Sequence, residues 1–344
     1  MTSADVESLR LQLRGELILP GGAGYDAARK VYNAMIDKRP ALIARCTDAA
    51  DVIAAVTFAR EKGVALAVRS GGHNAAGLGV WDDALVVDLS PLRYVRVDPR
   101  KSEVRVGGGC TWGDVDHATH AFGLAVPAGF ISTTGVAGLT LGGGLGYLTR
   151  KYGLSVDNLL SADVVLANGG FVTASETENP DLFWALRGGG GNFGVVTSFL
   201  FRAHPVHTVY AGPMLWELEQ APQIMGWYRD FILKAPDELD GFFAFLVVPP
   251  APPFPEHLHH KKMCAVVWCY SGPMEKAEAL FAPIRKAHPA ALDGLAPMPY
   301  PVVGSMFDAL YPPGLQWYWK ADFVRQLPDA AIGEHLRFAR ELPV

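Results

Sequence analysis

Long runs of one residue class are scarce in this sequence, and each scarcity excludes a class of protein. Lys and Arg number 30 against 35 Asp and Glu, the net charge is −5, and no basic run stands out. Nucleic acid is therefore not an expected partner, because neutralising phosphates requires concentrated Lys and Arg. No stretch comes near the roughly 20 apolar residues of a membrane span, and the N-terminus lacks the apolar core of a secretory signal. We expect no membrane partner.

Cysteine is also rare. The four cysteines, Cys46, Cys110, Cys264 and Cys269, show no spacing typical of a disulfide framework. Disulfides are rare in reducing compartments, so this usage predicts free thiols and a cytoplasmic location.

Glycine, by contrast, is abundant and clustered. The 37 glycines concentrate at 71–79, 107–109, 135–146 and 188–194. Clustered glycine in an otherwise apolar, well-mixed sequence indicates backbone that packs close to something.

The pattern of apolar residues predicts two domains. In the first, we expect a helix over 24–37, strands at 41–46 and 64–70, and a helix between them that ends at Gly63. Three short alternating runs between 84 and 107 predict antiparallel strands. Beyond His204-Pro205 the composition shifts, which predicts a second domain with strands at 209–217, 241–249 and 264–270 and helices at 221–234 and 273–286.

Two glycine motifs resemble dinucleotide fingerprints. Residues 22–27, GAGYDA, precede a predicted helix, but the expected acid at the end of the next strand is absent, where ALIARC ends in Cys46. Residues 189–194, GGGNFG, precede a strand, so no helix N-terminus would face a phosphate. A glycine turn is the favoured interpretation of the first motif.

The segment RSGGHN (69–74) follows a predicted strand. Its two glycines can turn successive backbone amides in one direction, which suits phosphate oxygens, and His73 would then lie beside the bound group. On the hexapeptide alone, an ordinary hydrogen-bonded loop histidine is the favoured interpretation. The glycine-rich run 127–159 could likewise hold a flat ring and a diphosphate, or simply pack a helix against a sheet.

Longer matches favour the cofactor interpretation. The stretches RSGGHN, DLSPLRYVRVDP, VRVGGGCTWGDV, GVAGLTLGGGLGYLTRKYGLSVDNLLSADVVLANG and DLFWALRGGGGNFGVVTSF occur in this order between residues 38 and 205. They resemble the FAD-binding domain of the vanillyl-alcohol oxidase/MurB-like (PCMH-type) superfamily, in its berberine-bridge-enzyme-like branch. The resemblance implies an α+β fold: a two-subdomain FAD-binding domain over 1–205, with its core at 38–205, followed by an α/β substrate domain with an antiparallel sheet over 206–344.

The resemblance also implies which residues contact the cofactor. His73 corresponds to the histidine that bonds to the 8α-methyl group of FAD. The implied FAD-contacting residues are Arg69, Ser70, Gly71, Gly72, His73, Asn74, Gly129, Ser132, Thr133, Gly135, Val136, Gly138, Gly143, Gly144, Gly146, Asn192 and Val195.

Three features depart from the family pattern. Ile131 stands where many members carry a second FAD-linking cysteine, so a single covalent attachment is implied. Thr134 stands at the position that controls oxygen access, which leaves oxidase and dehydrogenase activity both open. The chain ends at Val344, whereas the family continues with a tyrosine-bearing segment, so we expect an incomplete substrate domain.

Three residues are candidates for the catalytic base. GLQWYWKADF (314–323) resembles a substrate-domain strand, which makes Tyr318 and Lys320 candidates, with Tyr147 as a further one; aromatic strands more often fill a core. The histidines in EHLHHKK (256–262) and the polar residues of WGDVDHATH (112–120) are better explained as a solvated loop and a helix face than as metal ligands, so no metal site is expected.

These observations favour an FAD-dependent oxidoreductase that takes a hydride from a C–H bond beside an oxygen, in an alcohol, a sugar or a natural-product intermediate. O2 or another acceptor would reoxidise the flavin. The alternatives are an NAD(P)-dependent dehydrogenase and an FAD-binding protein without catalysis. Neither the substrate nor the oligomeric state follows from the sequence.

Overall fold

The computed structural model describes residues 2–343, which divide into two compact units. The first unit comprises residues 2–146, 152–207 and 304–319, and the second comprises residues 147–151, 208–303 and 320–343. Within the described residues no helix is both long enough and apolar enough to cross a bilayer.

The first unit contains two main sheets. Its strands are β1 (Glu16–Ile18), β2 (Leu42–Arg45), β3 (Leu66–Arg69), β4 (Leu85–Asp88), β5 (Val95–Asp98), β6 (Glu103–Gly107), β7 (Leu124–Ala125), β8 (Leu159–Val165), β9 (Phe171–Ser175), β10 (Val195–Arg202) and β11 (His204–Pro205). Its helices are α1 (Ser3–Gln12), α2 (Tyr25–Ala28), α3 (Ala49–Lys62), α4 (Trp112–His120), α5 (Val136–Leu141), α6 (Thr149–Tyr152), which begins in the second unit, and α7 (Pro180–Leu186).

The first sheet has the order β1-β2-β4-β3, in which β2, β4 and β3 are parallel and β1 is antiparallel. Helix α3 connects β2 to β3. It begins after Asp48, whose side chain accepts a hydrogen bond from the Asp51 amide, and it ends at Gly63 in the left-handed conformation, as predicted. The antiparallel prediction for the run at β4 is wrong. All four β4 residues are buried, as expected for a parallel strand with both faces covered.

The second sheet is antiparallel, with the order β5-β6-β10-β8-β9. Its apolar face packs with α4, α5 and α7 around the fully buried Phe199, Phe201 and Trp112. The two sheets confirm the predicted α+β class of the first domain. A short β7–β11 pair accompanies them.

The second unit is built on one antiparallel sheet, again as predicted. Its strands are β12 (Thr208–Glu217), β13 (Leu239–Val247), β14 (Lys262–Tyr270), β15 (Leu292–Asp293) and β16 (Ala296–Pro299), with the order β13-β14-β12-β15 and β16 also paired to β12. The helices are α8 (Ala221–Ile232), α9 (Met274–Ala287), α10 (Tyr300–Ser305), which ends in the first unit, and α11 (Asp329–Arg340). The core of the unit centres on Trp216, Trp268 and Phe281.

Two local predictions are wrong. The helix expected over 24–37 is only the four-residue α2, and residues 314–323 form no strand. These two irregular segments share hydrogen bonds: the Ala34 amide donates to the Leu315 carbonyl, and the Gly314 amide donates to the Tyr32 carbonyl. These backbone groups therefore form hydrogen bonds between the two segments instead of the helix and strand hydrogen bonds that the local sequence pattern predicted.

Asp116 on α4 is a buried carboxyl group, 2% exposed, and its Oδ1 has no hydrogen-bond partner among residues 2–343. Burial raises the pKa of Asp116 to about 8. A carboxyl group whose pKa is higher in the folded chain than in the unfolded chain stabilises the fold fully only below the unfolded value, about 3.9. That stabilisation is lost as the pH rises through the folded value.

We therefore expect Asp116→Asn, which cannot ionise, to raise the melting temperature relative to the wild type increasingly between pH 5 and pH 8. At pH 8 the difference in unfolding free energy should reach several kcal/mol, since each pKa unit is worth about 1.4 kcal/mol. Thermal unfolding at pH 5, 6.5 and 8 measures it, with the exposed Asp322→Asn as control. A melting-temperature difference independent of pH would contradict an ionising Asp116.

Candidate functional site

The loop over residues 69–74 begins where the parallel strand β3 ends. Arg69 anchors it: Nη2 donates to the buried carboxylate of Asp88 at 2.5 Å, and Nη1 donates to the carbonyls of Ala28 and Lys30. Ser70 Oγ donates to the Gly108 carbonyl at 2.6 Å. The start of the loop is therefore fixed by side chains, and its glycines follow a rigid base.

The backbone amides that follow in this loop have no hydrogen-bond acceptor within the described residues. Among residues 2–343, the N–H groups of Gly71, Gly72, His73 and Asn74 donate no hydrogen bond. Gly72 has a φ of +69°, a conformation that glycine adopts without strain. Consecutive free amides around such a turn form a concavity that suits an anion.

The first glycine-rich segment meets the second at Gly71 and Gly135. A Cβ atom built on Gly71 would lie 2.5 Å from the Gly135 nitrogen and 2.6 Å from its Cα. Such distances leave no room for any side chain, so the two main chains are in direct contact. The loops that the sequence linked to one cofactor are therefore adjacent in the fold.

His73 lies at this junction. Its Nε2 is 3.3 Å from the Thr133 Oγ1, and its ring stacks on Tyr32 with a centroid distance of 4.0 Å and an interplanar angle of 23°. Burial lowers the pKa of His73, and this outweighs the opposing effects of the Thr133 backbone and the Asp308 charge. The imidazole is consequently neutral at physiological pH and keeps a lone pair for bonding.

A cleft of about 430 Å³ opens beside the loop. It is lined by Ala27, Lys30, Val31, Tyr32, Arg69, Ser70, Gly71, Gly72, His73, Ser90, Thr133 and Pro313. Six of these were predicted as cofactor contacts. The free amides, the side-chain-free turn and the cleft fit a diphosphate carried by a planar ring system.

The remaining glycines of the second segment divide into two groups. A Cβ on Gly129, Gly144 or Gly146 would clash with protein atoms, in the case of Gly146 at 1.8 Å from the Ala128 carbonyl oxygen. Packing alone accounts for these three. A Cβ on Gly138 meets nothing within 4 Å, and one on Gly143 meets only Leu154 at 3.7 Å, so these two have free space beside them.

Other predicted residues have partners within the protein. The carboxylate of Asp308 accepts hydrogen bonds from both the Ser132 amide, at 3.1 Å, and the Ser132 hydroxyl. Val136 and Val195 are buried in hydrophobic clusters, so only their backbone could contact a ligand. Asn192 is exposed, and its side chain donates to the Gly189 carbonyl at 2.8 Å.

The candidate catalytic residues lie on irregular chain. Tyr318 is 81% exposed, and Lys320 is also exposed. They belong to different units. Their role stays a prediction.

Sequence reasoning missed Tyr32 and Asp308. Tyr32 belongs to a segment predicted as helical, and Asp308 lies 176 residues from its partner Ser132. No local pattern marks either residue, because both reach the site only through tertiary hydrogen bonds.

The structure does not support the nicotinamide alternative. Strand β1, which precedes the GAGYDA motif, pairs antiparallel with β2, whereas a dinucleotide unit needs parallel strands joined by a crossover helix. The following helix α2 has only four residues.

In the part of the chain that the structure describes, there is no group of three or more His, Cys, Asp or Glu side chains that could hold a metal ion.

Comparison with known proteins agrees with this geometry. A family model described as "FAD binding domain" matches residues 40–175. The (R)-6-hydroxynicotine oxidase of Paenarthrobacter nicotinovorans is 41% identical over 207 residues, which cover 60% of this chain and 45% of that protein.

Two solved structures extend the similarity to most of the chain. The 6-hydroxy-D-nicotine oxidase of Arthrobacter nicotinovorans superposes with a TM-score of 0.80 at 33% identity, covering 88% of this chain and 66% of that one. The xylooligosaccharide oxidase of Myceliophthora thermophila, in complex with xylobiose, gives a TM-score of 0.75 at 29% identity, covering 89% and 63%. The aligned regions span between 45% and 64% of the length of three curated relatives.

Proposed function

Because the chain belongs to the FAD-linked oxidases of the vanillyl-alcohol oxidase/PCMH family, we propose that it binds FAD in the first unit and oxidises a small molecule with it. The observation that carries the proposal is the contact between Gly71 and Gly135, beside free amides and the imidazole of His73. FAD supplies the acceptor of a hydride taken from a C–H bond beside an oxygen.

The residues of the site divide the work of holding FAD. The amides of 71–74 bind the diphosphate, and the rigid anchors of Arg69 and Ser70 keep those amides in place. His73 forms the single covalent link to the flavin, a role supported by its neutral, half-buried imidazole. Ile131 stands where a second link would require cysteine.

The remaining predicted FAD contacts fall in two further segments. They are Gly129, Ser132, Thr133, Gly135, Val136, Gly138, Gly143, Gly144 and Gly146 in the second segment, and Asn192 and Val195 in the third. Open space beside Gly138 and Gly143 supports a direct approach of the cofactor at those positions.

The second domain, residues 206–344, is proposed to bind the substrate, an alcohol, a sugar or a natural-product intermediate. Tyr318 or Lys320 would accept the proton that leaves the substrate hydroxyl, provided that one of them comes within hydrogen-bond reach. Dioxygen would reoxidise the flavin. All four cysteines are free and buried, which supports the proposal of a cytoplasmic location.

The visible absorption spectrum of the purified chain tests the proposal. We expect the two absorption bands of oxidised flavin, at an intensity that corresponds to about one flavin per protein. An oxidisable alcohol or sugar should bleach these bands under nitrogen, and air should restore them. A colourless protein that binds NAD(P)H would contradict the proposed function. Bound flavin that no such substrate reduces would instead favour an FAD-binding protein without catalysis.

A further inference from the structure

Tyr32 lies against His73 and against the loop that carries it. Its ring stacks on the imidazole, and its own amide donates to the Gly72 carbonyl at 3.0 Å, inside the loop that carries His73. The residue is only 8% exposed although the surrounding segment is irregular. Tyr32 therefore contacts both the ring of His73 and the backbone that precedes it.

The Tyr32 ring is itself held in place by residues of the segment 311–317. Its hydroxyl donates to the Tyr311 carbonyl at 2.6 Å, and Trp317 lies nearly parallel to it at a centroid distance of 6.0 Å. The segment that supplies these contacts belongs to the first unit and bonds to the neighbouring Asn33 through the Trp317 backbone. The Tyr32 side chain is therefore bonded at its hydroxyl as well as at its backbone, and the imidazole stacks on a ring that has little freedom to move.

We infer that Tyr32 is a positioning residue for flavin attachment: it orients the His73 ring toward the cofactor and shields it from water. The inference rests on the proposed function, since it concerns the covalent link. Thr133 restrains the same ring at Nε2, so the two residues together leave the imidazole little freedom to rotate.

Orientation matters because attachment is a directed bond-forming step. The step would join a ring nitrogen of His73 to the 8α-methyl carbon of FAD and would break one C–H bond of that methyl group. The two electrons of that C–H bond would pass to the flavin ring together with the methyl and imidazole protons. Dioxygen would then take up the two electrons and two protons as hydrogen peroxide. Only the neutral imidazole, correctly aimed, can form the bond.

The titratable groups around His73 are few. Tyr32 faces the ring, Asp308 acts on it from the segment bound to Ser132, and Lys30 and Arg69 line the same cleft. Asp308 favours a protonated His73, whereas burial opposes it and prevails. Removing the Tyr32 ring would hydrate the imidazole and leave the charge of Asp308 in place.

The first test needs no flavin. In the full chain produced without riboflavin, the His73 Hε1 resonance is followed by NMR from pH 5 to pH 8. Tyr32→Ala should raise the His73 pKa toward the ordinary value of about 6.5, whereas Tyr32→Phe, which keeps the stacking ring, should leave it near that of the wild type. Tyr25 offers a matched control, because it is also buried and its hydroxyl also donates to a backbone carbonyl, that of Pro40 at 2.7 Å.

The second test adds FAD and measures its attachment by flavin fluorescence of the denatured chain. It compares the wild type, Tyr32→Ala, Tyr32→Phe and Tyr25→Ala. We expect Tyr32→Ala to attach FAD on the order of tenfold to a hundredfold more slowly, with its pH midpoint moved upward, and Tyr32→Phe to restore most of the rate. Tyr25→Ala should lower the melting temperature but leave the pH midpoint unchanged.

The outcomes separate the inference from the proposed function. Attachment in the wild type and in Tyr32→Ala at the same rate and pH midpoint would overturn the inference alone. An equal change of attachment rate and pH midpoint in Tyr25→Ala would also overturn the inference, because the loss of a buried tyrosine anywhere in the fold would then explain the result. No attachment in the wild type would contradict the covalent link and the inference together.

Discussion

His73→Ala will abolish covalent flavin attachment and leave a protein that loses its FAD during purification. Without the imidazole, FAD is held only by noncovalent contacts with the loop 69–74, the segment 129–146, Asn192 and Val195, and the covalent bond that ties the flavin ring to the loop is gone. Free FAD should then bind reversibly, so that extensive dialysis removes it from the variant but not from the wild type. Flavin fluorescence of the denatured band and FAD titration of the apoprotein measure the two consequences.

The matched control is His117→Ala, which removes an exposed histidine of α4. It should retain the yellow colour and the fluorescent band of the wild type. A fluorescent denatured band in His73→Ala would place the link on another residue.

Gly71→Ala will prevent FAD binding and destabilise the first unit. The added methyl group would lie 2.5 Å from the Gly135 nitrogen, and neither main chain can move without disturbing the other loop. Overpacking of this kind lowers the free energy of unfolding by about 1–3 kcal/mol or more. Separating the two loops would also move apart the backbone groups proposed to bind the diphosphate. We expect a lower midpoint in urea unfolding of the apoprotein and a loss of FAD affinity of tenfold or greater.

Gly333→Ala provides the comparison. Gly333 lies inside α11, and a Cβ there meets nothing within 4 Å, so alanine should stabilise the helix by roughly 0.5–1 kcal/mol. FAD binding should be unchanged. If Gly71→Ala binds FAD and unfolds like the wild type, the close contact between the two loops is not part of the site.

Much of the fold could be predicted because local signals agreed with it. The Asp48 cap and Gly63 fix α3, and the alternating runs at β5, β6 and β12–β14 became antiparallel strands. Resemblance over residues 38–205 indicated an FAD-binding domain, and a family model described as "FAD binding domain" matches residues 40–175. The antiparallel prediction for β4 was wrong because an alternating run does not reveal that both faces of the strand are covered.

The candidate site could be located from the glycine and histidine patterns, whereas the tertiary contacts around it could not. The residue types of 69–74 and 129–146 predicted that these two loops lie together, and Gly71 and Gly135 are in contact. Tyr32 could not be identified, since its position depends on bonds to Gly72 and Tyr311, which are distant in sequence. The aromatic segment 314–323 was mistaken for a strand because its alternating pattern, taken alone, indicates one.

The most direct test of the account is the mass of the tryptic peptide that contains His73, taken from denatured wild-type protein. We predict that this peptide carries the mass of one flavin nucleotide on the histidine and that the unmodified peptide is a minor species. An unmodified His73 peptide, with all flavin released on denaturation, would contradict the claim that the imidazole at the junction of the two glycine-rich loops is the point of attachment.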